Sequence, residues 1–223
     1  MSRLYGLYAI TPEVPRPSSP LATQVEWAIA GGARLIQYRS KGGDPAARLH
    51  TARSLLAVCR AAAVPLIIND DPDLAARIGA DGVHLGRDDP DPREVRRRLG
   101  PGVIIGVSCY NQLQRVLRAK EASADYVAFG RFFSSMTKPL AVSTTPTLLR
   151  QARERLAIPL VAIGGITPEN GALPITAGAD MLAAVDAVFG QSDIRAAAAA
   201  FDALFDSVYI PRDNKITPSL LTG

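Results

Sequence analysis

The chain has 223 residues, 48% of them hydrophobic and 21% charged, with a net charge of +4 at pH 7. This length suits one domain with a sizeable core. No apolar run reaches the roughly 18 residues that a bilayer-spanning helix needs, which argues against a membrane protein. The start, MSRLYGLYAITP, lacks the basic and then apolar pattern of a signal peptide. Cys59 and Cys109 lie far apart in apolar segments, so we expect free thiols and a cytoplasmic protein.

The excess of positive charge raises the question of a nucleic-acid partner. Arginines are scattered except in REVRRRLG at 93–100, which is typical of a helix with a solvated basic face. Aromatic residues do not alternate with basic ones, as they do in single-strand binders. We therefore predict no nucleic-acid partner and expect anionic small-molecule substrates.

Short apolar runs recur eight times along the chain. They lie at 7–10, 35–38, 66–68, 83–85, 103–107, 126–129, 160–163 and 181–185. Each is too short for a helix and does not alternate strictly, as expected of strands buried on both faces. Helix-like stretches such as LATQVEWAIA separate them. The pattern predicts an α/β fold, a single-domain (β/α)8 TIM barrel, over residues 1–206.

Turn signals mark the ends of these units. GGAR, GADG, SADY and GADM lead from a helix into a strand, and Gly suits the left-handed turn at a helix end. Helix starts pair an N-cap residue with proline, at Asp44-Pro45, Asp71-Pro72, Asp91-Pro92, Thr145-Pro146 and Thr167-Pro168. The polar segment 207–223 holds two prolines; we expect it to lie outside the barrel, with disorder as one option.

Acidic residues follow the third and fourth predicted strands. Capping accounts for Asp71 and Asp91, but it does not account for Asp70 and Asp89. In a barrel, both loops lie on the carboxyl-terminal face, where active sites are built. Two carboxylates beside an anionic substrate need a cation, and Mg²⁺ takes one or two carboxylates together with phosphate and water. The alternative, that Asp89 is a surface turn residue like Asp88, stays open.

Cationic side chains follow the second predicted strand. Gln37, Arg39 and Lys41 alternate with other residues, so an extended chain would point all three to one side. An amide, a planar guanidinium and an ammonium group suit a phosphate or diphosphate. The alternative is an ordinary basic loop.

The fifth predicted strand ends at Ser108, whose hydroxyl suits either substrate binding or a turn. Thiol catalysis by Cys109 would need a base, and the chain has two histidines. His50 falls within a predicted helix. His84 falls within a predicted strand, where it is expected to be a hydrogen-bonded core residue. Neither is placed as a base.

Two further loops suit phosphate. The segment 130–146 is the longest loop and contains Ser135, Thr137 and Lys138. After the seventh predicted strand, Gly164-Gly165 lets backbone N–H groups approach a ligand, and Thr167-Pro168 is predicted to open a helix toward it. The sequence thus predicts two phosphate sites on one face.

Six short motifs stand at these strand ends and loops. They are QYRSK at 37–41, NDDPDLA at 69–75, DGVHLGRDD at 81–89, GVS at 106–108, TK at 137–138 and GGIT at 164–167. Together they resemble the thiamine-phosphate synthase family over nearly the whole chain. That family joins a hydroxymethylpyrimidine diphosphate to a thiazole phosphate and releases diphosphate, on the barrel fold predicted above.

The resemblance implies a role for each matching residue. The pyrimidine diphosphate would be held by Gln37, Arg39, Lys41, Asn69, Ser108 and Lys138, and the thiazole phosphate by Ser135, Met136, Thr137, Gly165, Val185 and Asp186. Mg²⁺ would be the cofactor, bound by Asp70 and Asp89. Arg39, Lys41 and Lys138 would be catalytic, because they would stabilise the negative charge on the departing diphosphate.

The chain departs from the family pattern at two places. In GRFFSSMTK, Arg131 and Ser134 replace prolines, so we expect a more mobile loop. Asp186 stands where the family often has Ser. A carboxylate repels phosphate, so we expect it to point away or cap the next helix while backbone N–H groups bind the ligand.

Two alternative functions stand beside the transferase. A thiazole tautomerase-like isomerase resembles the synthase but relies on a histidine and does not need the diphosphate and Mg²⁺ set. A non-catalytic thiamine-phosphate sensor would bind product without turnover. Asp70, Asp89 and Lys138 together favour the transferase. The expected partners are the two small-molecule substrates, and the sequence leaves a homo-oligomer open.

Overall fold

A computed structural model describes residues 4–14, 19–133 and 144–208. Within them, eight parallel strands close into a barrel in chain order. The strands are β1 (Gly6–Ile10), β2 (Ala33–Tyr38), β3 (Leu66–Asn69), β4 (Gly82–Leu85), β5 (Ile104–Tyr110), β6 (Tyr126–Gly130), β7 (Leu160–Ile163) and β8 (Met181–Ala184). β8 pairs with β1 to close the ring, with Gly6 opposite Met181. This confirms the predicted (β/α)8 TIM barrel.

Helices connect the strands and form the outer layer. They are α1 (Leu21–Ala30), α2 (Pro45–Ala61), α3 (Pro72–Ile78), α4 (Pro92–Leu99), α5 (Leu113–Glu121), α6 (Pro146–Arg155), α7 (Ala172–Thr176), α8 (Asp186–Phe189) and α9 (Ile194–Val208). Residues 191–193 connect the Gly190 C-cap of α8 to α9, which packs against α1 and β1. Most of the predicted tail, 209–223, lies outside the described residues, so its character stays a prediction. In the described part of the chain, none of the helices has the length and apolar character to cross a membrane.

The strands are buried on both faces, as predicted. Their inward-facing apolar and aromatic side chains form one core inside the barrel: Tyr8, Ile10, Leu35, Ile67, Tyr126, Ala128, Val161, Met181 and Ala183. The alternate residues, such as Leu7, Ile36 and Leu66, pack outward beneath the helices in a second core. Cys59 and Cys109 lie in this second core as free thiols, as predicted. Side-chain alternation along a strand therefore decides which core each strand residue joins.

Polar side chains enter the barrel interior near the carboxyl ends of the strands. Gln37 and His84 are only 3% and 8% exposed. Burial of such groups is tolerated because each has hydrogen-bond partners, described with the site below. The interior thus changes from an apolar base to a polar top on the side where the loops converge.

Four of the five predicted N-caps are confirmed. In each, a side-chain oxygen accepts a hydrogen bond from a backbone N–H two or three residues later. The four residues are Asp44, Asp71, Asp91 and Thr145. These bonds fix the starts of α2, α3, α4 and α6 where the sequence predicted them.

The fifth predicted helix start, at Thr167-Pro168, was wrong. The side chain of Asn170 accepts the Thr167 N–H at 2.9 Å, and this bond holds a turn. Helix α7 begins later, at Ala172. The pattern of an N-cap residue followed by proline therefore marks a turn, not a helix start, at this position.

Helix ends turn into strands through left-handed residues, as the repeated motifs predicted. Gly79, the C-cap of α3, has φ 68° and ψ 43°. In SADY the same turn is made by Ser123, which has a φ of 56° although it is not glycine. The turn geometry is therefore shared between units even where the residue type differs.

Aspartates just before three strands bind the neighbouring strand. Asp81, Asp125 and Asp180 each accept the backbone N–H of the first or second residue of the strand before, at 2.7–2.9 Å. The bonds satisfy N–H groups at the amino-terminal end of the barrel, opposite the loops that carry the site. These aspartates are therefore structural.

Two arginines complete this end of the barrel. Arg96 pairs with Asp125 and donates to the carbonyl oxygens of Val103 and Ser123. Arg153, two units later, pairs with Asp180 and likewise donates to nearby carbonyl oxygens. Each arginine ties a helix to the segments that lead into the strands.

Candidate active site

Asp70 and Asp89 lie together on the carboxyl-terminal face. Asp70 follows β3, and its backbone N–H donates to the His84 carbonyl at 2.9 Å. Its φ of 61° is left-handed, a conformation that Asp tolerates better than most residues. Asp89 Oδ2 accepts the Gly86 N–H at 2.5 Å, and its carboxyl group interacts with that of Asp70. The two acids singled out from the sequence therefore meet.

The environment separates the pKa values of these two acids. Burial, together with the neighbouring Asp70 carboxylate, raises the pKa of Asp89 despite the bond from Gly86. Burial also acts to raise the pKa of Asp70, but hydrogen bonds from Asp89 and Lys41 outweigh it and lower that pKa. One acid thus gains a proton more readily and the other stays ionised, as expected of two carboxyl groups in contact.

Lys41 lies beside the acids. Its Nζ is 3.1 Å from Asp70 Oδ2. The guanidinium group of Arg39 is 3.0 Å from the Glu13 carboxylate, and the backbone N–H of Arg39 donates to Thr11 Oγ1. β2 ends at Tyr38, as predicted, and that Gln37, Arg39 and Lys41 point to one side stays a prediction. The two cations reach this face from the loop after β2.

Gln37 and Ser108 belong to the barrel interior. The amide of Gln37 donates to the Tyr8 hydroxyl at 2.6 Å. Ser108 lies within β5, which continues to Tyr110, so the prediction that this strand ends at Ser108 was wrong. Its Oγ is 2.9 Å from His84 Nε2. Asn69, the last residue of β3, pairs in register with His84 and precedes Asp70.

The loop after β6 is anchored to the end of β7. The backbone N–H groups of Phe132 and Phe133 donate to the carbonyls of Ile163 and Gly164, at 3.1 and 2.9 Å. Thr144 returns to the same place, donating to the Arg131 carbonyl at 2.7 Å. The predicted ligand-binding residues of this loop lie outside the described residues, so their roles stay predictions: Ser135, Met136, Thr137 and Lys138.

Gly164 permits this close approach. It has a φ of +98°, and a Cβ built on it would lie 2.3 Å from Arg131 Cβ. No side chain fits there without moving the start of the loop. Glycine at this position is thus required by packing as well as by backbone conformation.

We expect Gly164→Ala to lower kcat/KM by about tenfold or more, because the displaced loop carries predicted ligand-binding residues. The measurement is steady-state kinetics alongside thermal unfolding. Gly102→Ala is the matched control, since a Cβ at Gly102 meets nothing within 4 Å and its φ is not positive. Equal activity in the two variants would contradict the packing argument.

Two predicted site residues, Val185 and Asp186, lie at the end of β8. Val185 is the N-cap of α8, and Asp186 is the first residue of that helix, exposed to solvent. Asp186 lies inside the helix and so does not cap α8, while its exposure to solvent agrees with the other alternative, that it points away from the site. Gly165 has a φ of 62° and its carbonyl accepts from the Asn170 amide at 2.9 Å. Ligand binding by these residues stays a prediction.

Asp71 differs in role from its neighbour Asp70. It caps α3 through the Leu74 N–H and pairs with Arg48 at 2.9 Å. We expect Asp71→Ala to lower the free energy of unfolding by about 1 kcal/mol through the lost cap. Urea denaturation measures this, with kcat/KM of the folded fraction recorded beside it. A large loss of activity without loss of stability would show that the two acids have been assigned the wrong roles.

The two acids fit a magnesium ion. Among the described residues, no group of three or more His, Cys, Asp or Glu side chains is placed to hold a metal. Mg²⁺, however, commonly takes only one or two carboxylates and completes its shell with phosphate and water. The contact between Asp70 and Asp89 is one that a shared proton or a cation stabilises. The donor set therefore suits a hard cation that arrives with a phosphate.

Sequence reasoning missed two tyrosines that support the site. Tyr8 and Tyr126 are buried in the barrel, and their hydroxyls are 2.7 Å apart. His84 was predicted to be a hydrogen-bonded core residue, which is confirmed, but its contact with Ser108 was not foreseen. The available signal was that Tyr8, His84 and Ser108 occupy inward positions of their strands, where apolar residues are usual.

Fold and site together define a (β/α)8 barrel protein with paired acids and cations at the carboxyl-terminal face. A family model described as thiamine monophosphate synthase matches residues 7–188. A thiamine-phosphate synthase of Nitrosococcus oceani is 50% identical over 211 residues, covering 95% of this chain and 97% of the relative. One from Aromatoleum aromaticum is 52% identical, covering 92% and 99%.

A solved structure agrees with these relatives. The thiamine phosphate pyrophosphorylase from Pyrococcus furiosus superposes with a TM-score of 0.81 at 31% identity, covering 92% of this chain and 96% of that chain. The chain therefore belongs to the thiamine monophosphate synthase family.

Proposed function

We propose that this chain is a transferase that makes thiamine phosphate. It joins 4-amino-2-methyl-5-hydroxymethylpyrimidine diphosphate to 4-methyl-5-(2-phosphoethyl)thiazole and releases diphosphate. The observation that carries the proposal is the contact of Asp70, Asp89 and Lys41 at the carboxyl-terminal face, in a chain of this family. Paired acids with an adjacent cation suit a diphosphate that binds with a metal ion.

The predicted catalytic residues would stabilise the charge that develops during the reaction. As the bond between the pyrimidine methylene and diphosphate breaks, negative charge grows on the leaving group. Lys41 and Arg39 would stabilise that charge, and Lys138 would join them from the loop after β6. The 4-amino group spreads the positive charge left on the pyrimidine, and the thiazole nitrogen then forms the new bond. Holding both substrates on one face supplies much of the remaining rate.

Asp70 and Asp89 would hold Mg²⁺. When bound, the ion supplies charge neutralisation for the diphosphate. Lys41 would keep Asp70 ionised, since it contacts that carboxylate at 3.1 Å. The bond from Gly86 would fix the orientation of Asp89.

The histidines argue against the isomerase alternative. Both ring nitrogens of His84 lie within hydrogen-bond distance of protein hydroxyls, Tyr126 at 3.0 Å and Ser108 at 2.9 Å. His50 lies exposed on α2, in the outer layer. A histidine that transfers a proton must be open to the substrate, and neither is so placed.

The test separates the transferase from the isomerase. Purified protein is given a thiazole phosphate alone, or with the pyrimidine diphosphate, and products are resolved by chromatography and mass spectrometry. The proposal predicts thiamine phosphate in the second mixture and no change in the first. Isomerised thiazole in the first mixture, without joined product in the second, would contradict it.

A further inference from the structure

Five polar side chains from five strands form one continuous hydrogen-bonded chain across the barrel interior. Gln37 bonds to Tyr8 at 2.6 Å, and Tyr8 to Tyr126 at 2.7 Å. Tyr126 bonds to His84 Nδ1 at 3.0 Å, and His84 Nε2 to Ser108 at 2.9 Å. We call these five residues the interior relay. Its two ends, Gln37 and Ser108, are among the residues predicted to hold the pyrimidine diphosphate.

The middle of the interior relay is built into the packing. Tyr8 and Tyr126 meet edge to face at 5.8 Å, and His84 stacks on Tyr126 at 5.6 Å. Gly106 leaves room for the Tyr126 phenol, because a Cβ there would lie 2.3 Å from its hydroxyl oxygen. The glycine of the GVS motif thus has a packing role beneath the site.

With the Gln37 N–H donating to Tyr8, one direction lets each hydroxyl in the middle of the relay accept one bond and donate one. In that direction the Tyr8 hydroxyl donates its proton to Tyr126. Tyr126 then donates to His84 Nδ1, which places the imidazole proton on Nε2. Nε2–H donates to Ser108 Oγ and leaves the serine proton available to a ligand. Burial raises the pKa values of both tyrosines, which keeps them neutral in these bonds.

The ends of the relay therefore present opposite groups. Ser108 offers a donor, and Gln37 offers its amide oxygen as an acceptor, because its nitrogen is the atom bonded to Tyr8. Turning the Gln37 amide over would reverse every bond and exchange these roles. A 4-aminopyrimidine matches the first arrangement, since it carries an N–H donor and ring nitrogens that accept. A 4-oxopyrimidine, with a carbonyl and a ring N–H, matches the second.

We propose that Tyr8, Tyr126 and His84 are positioning residues that fix the hydrogen-bond polarity of Gln37 and Ser108 and so select an aminopyrimidine over an oxopyrimidine. This inference rests on the proposed function for the identity of the ligand. The direction of the relay does not depend on the ligand and is tested separately.

The first test reads the tautomer of His84. The chain has two histidines, so ¹⁵N-histidine labelling gives two sets of imidazole signals, with exposed His50 as the reference. The relay predicts that His84 carries its proton on Nε2 in the ligand-free protein. A proton on Nδ1, or on both nitrogens, would overturn the proposed direction.

The second test measures binding by calorimetry, in Mg²⁺ buffer without the thiazole phosphate. The probes are the 4-amino pyrimidine diphosphate and its 4-oxo counterpart. Wild type should bind the amino compound about 100-fold more tightly, because the oxo compound leaves buried polar groups unpaired. Tyr126→Phe should reduce that ratio to about fivefold or less, mainly by weakening the binding of the amino compound.

Further variants separate positioning from folding. His84→Gln can still accept from Tyr126 and donate to Ser108, so it should retain the preference, whereas His84→Leu should lose it. Tyr8→Phe cuts the relay at another point if Tyr126→Phe does not fold. Tyr5→Phe, just before β1 at the other end of the barrel, is the control and should behave as wild type.

The outcomes are distinct. A folded Tyr126→Phe protein that keeps the full preference would overturn the inference while leaving the proposed function intact. Wild type that binds neither diphosphate would remove the proposed function and the ligand preference with it.

Discussion

Asp70→Asn should lower kcat/KM by about 100-fold or more at saturating Mg²⁺ while leaving the folded structure intact. Asp70 is the acid whose pKa is lowered, and it contacts both Lys41 and Asp89. Asparagine keeps the size of the side chain and tolerates the left-handed φ of 61°, so the substitution removes charge with little backbone strain. The measurement is kcat/KM across a Mg²⁺ titration.

The matched control is Asp88→Asn. Asp88 is an exposed residue of the neighbouring loop, one position before Asp89. It loses the same unit of charge at the same face, so any effect of overall charge appears in both variants. Comparable losses in the two variants, or near-wild-type turnover by Asp70→Asn, would remove Asp70 from the metal site.

Asp180→Ala should have the opposite effect, a loss of about 3–5 kcal/mol in the free energy of unfolding with normal activity in the folded protein. Asp180 is 2% exposed, pairs with Arg153 and accepts the Leu160 N–H at 2.9 Å. Its removal leaves the Arg153 cation, only 17% exposed, and the Leu160 N–H without this acceptor. In a chain of this size we expect the melting temperature to fall by about 10 °C.

Glu121→Ala is the control for this prediction. Glu121 pairs with Arg93 at 2.9 Å, but both side chains are largely exposed, at 63% and 61%. An exposed pair contributes at most about 1 kcal/mol. Urea denaturation of both variants measures the difference. If Asp180→Ala were as stable as Glu121→Ala, the aspartates at the amino-terminal end of the barrel would not be important for its stability.

The barrel could be predicted well because each strand is a local pattern. Apolar runs and capped helix starts depend only on residues close together in the sequence, so the order and type of the helices and strands can be predicted from it. Thr167-Pro168 was the exception. It has the pattern of a helix start, but Asn170 takes the Thr167 N–H in a turn and the helix starts later, at Ala172.

The site was predictable in part. Asp70 and Asp89 meet because loops after adjacent strands share a face, which topology alone implies. The interior relay could not be predicted in this way. It joins β1 to β6 and β6 to β4, strands that are not neighbours in the sheet, and only closure of the barrel brings Tyr126 to both Tyr8 and His84.

The most direct test of the proposed function is an assay that counts both products. Purified protein is mixed with the pyrimidine diphosphate and the thiazole phosphate, with Mg²⁺ or with a chelator, and thiamine phosphate and diphosphate are measured together. We expect the two products in equal amounts and only with Mg²⁺. A folded protein that binds either substrate but forms no product would contradict the proposal and favour a thiamine-phosphate sensor.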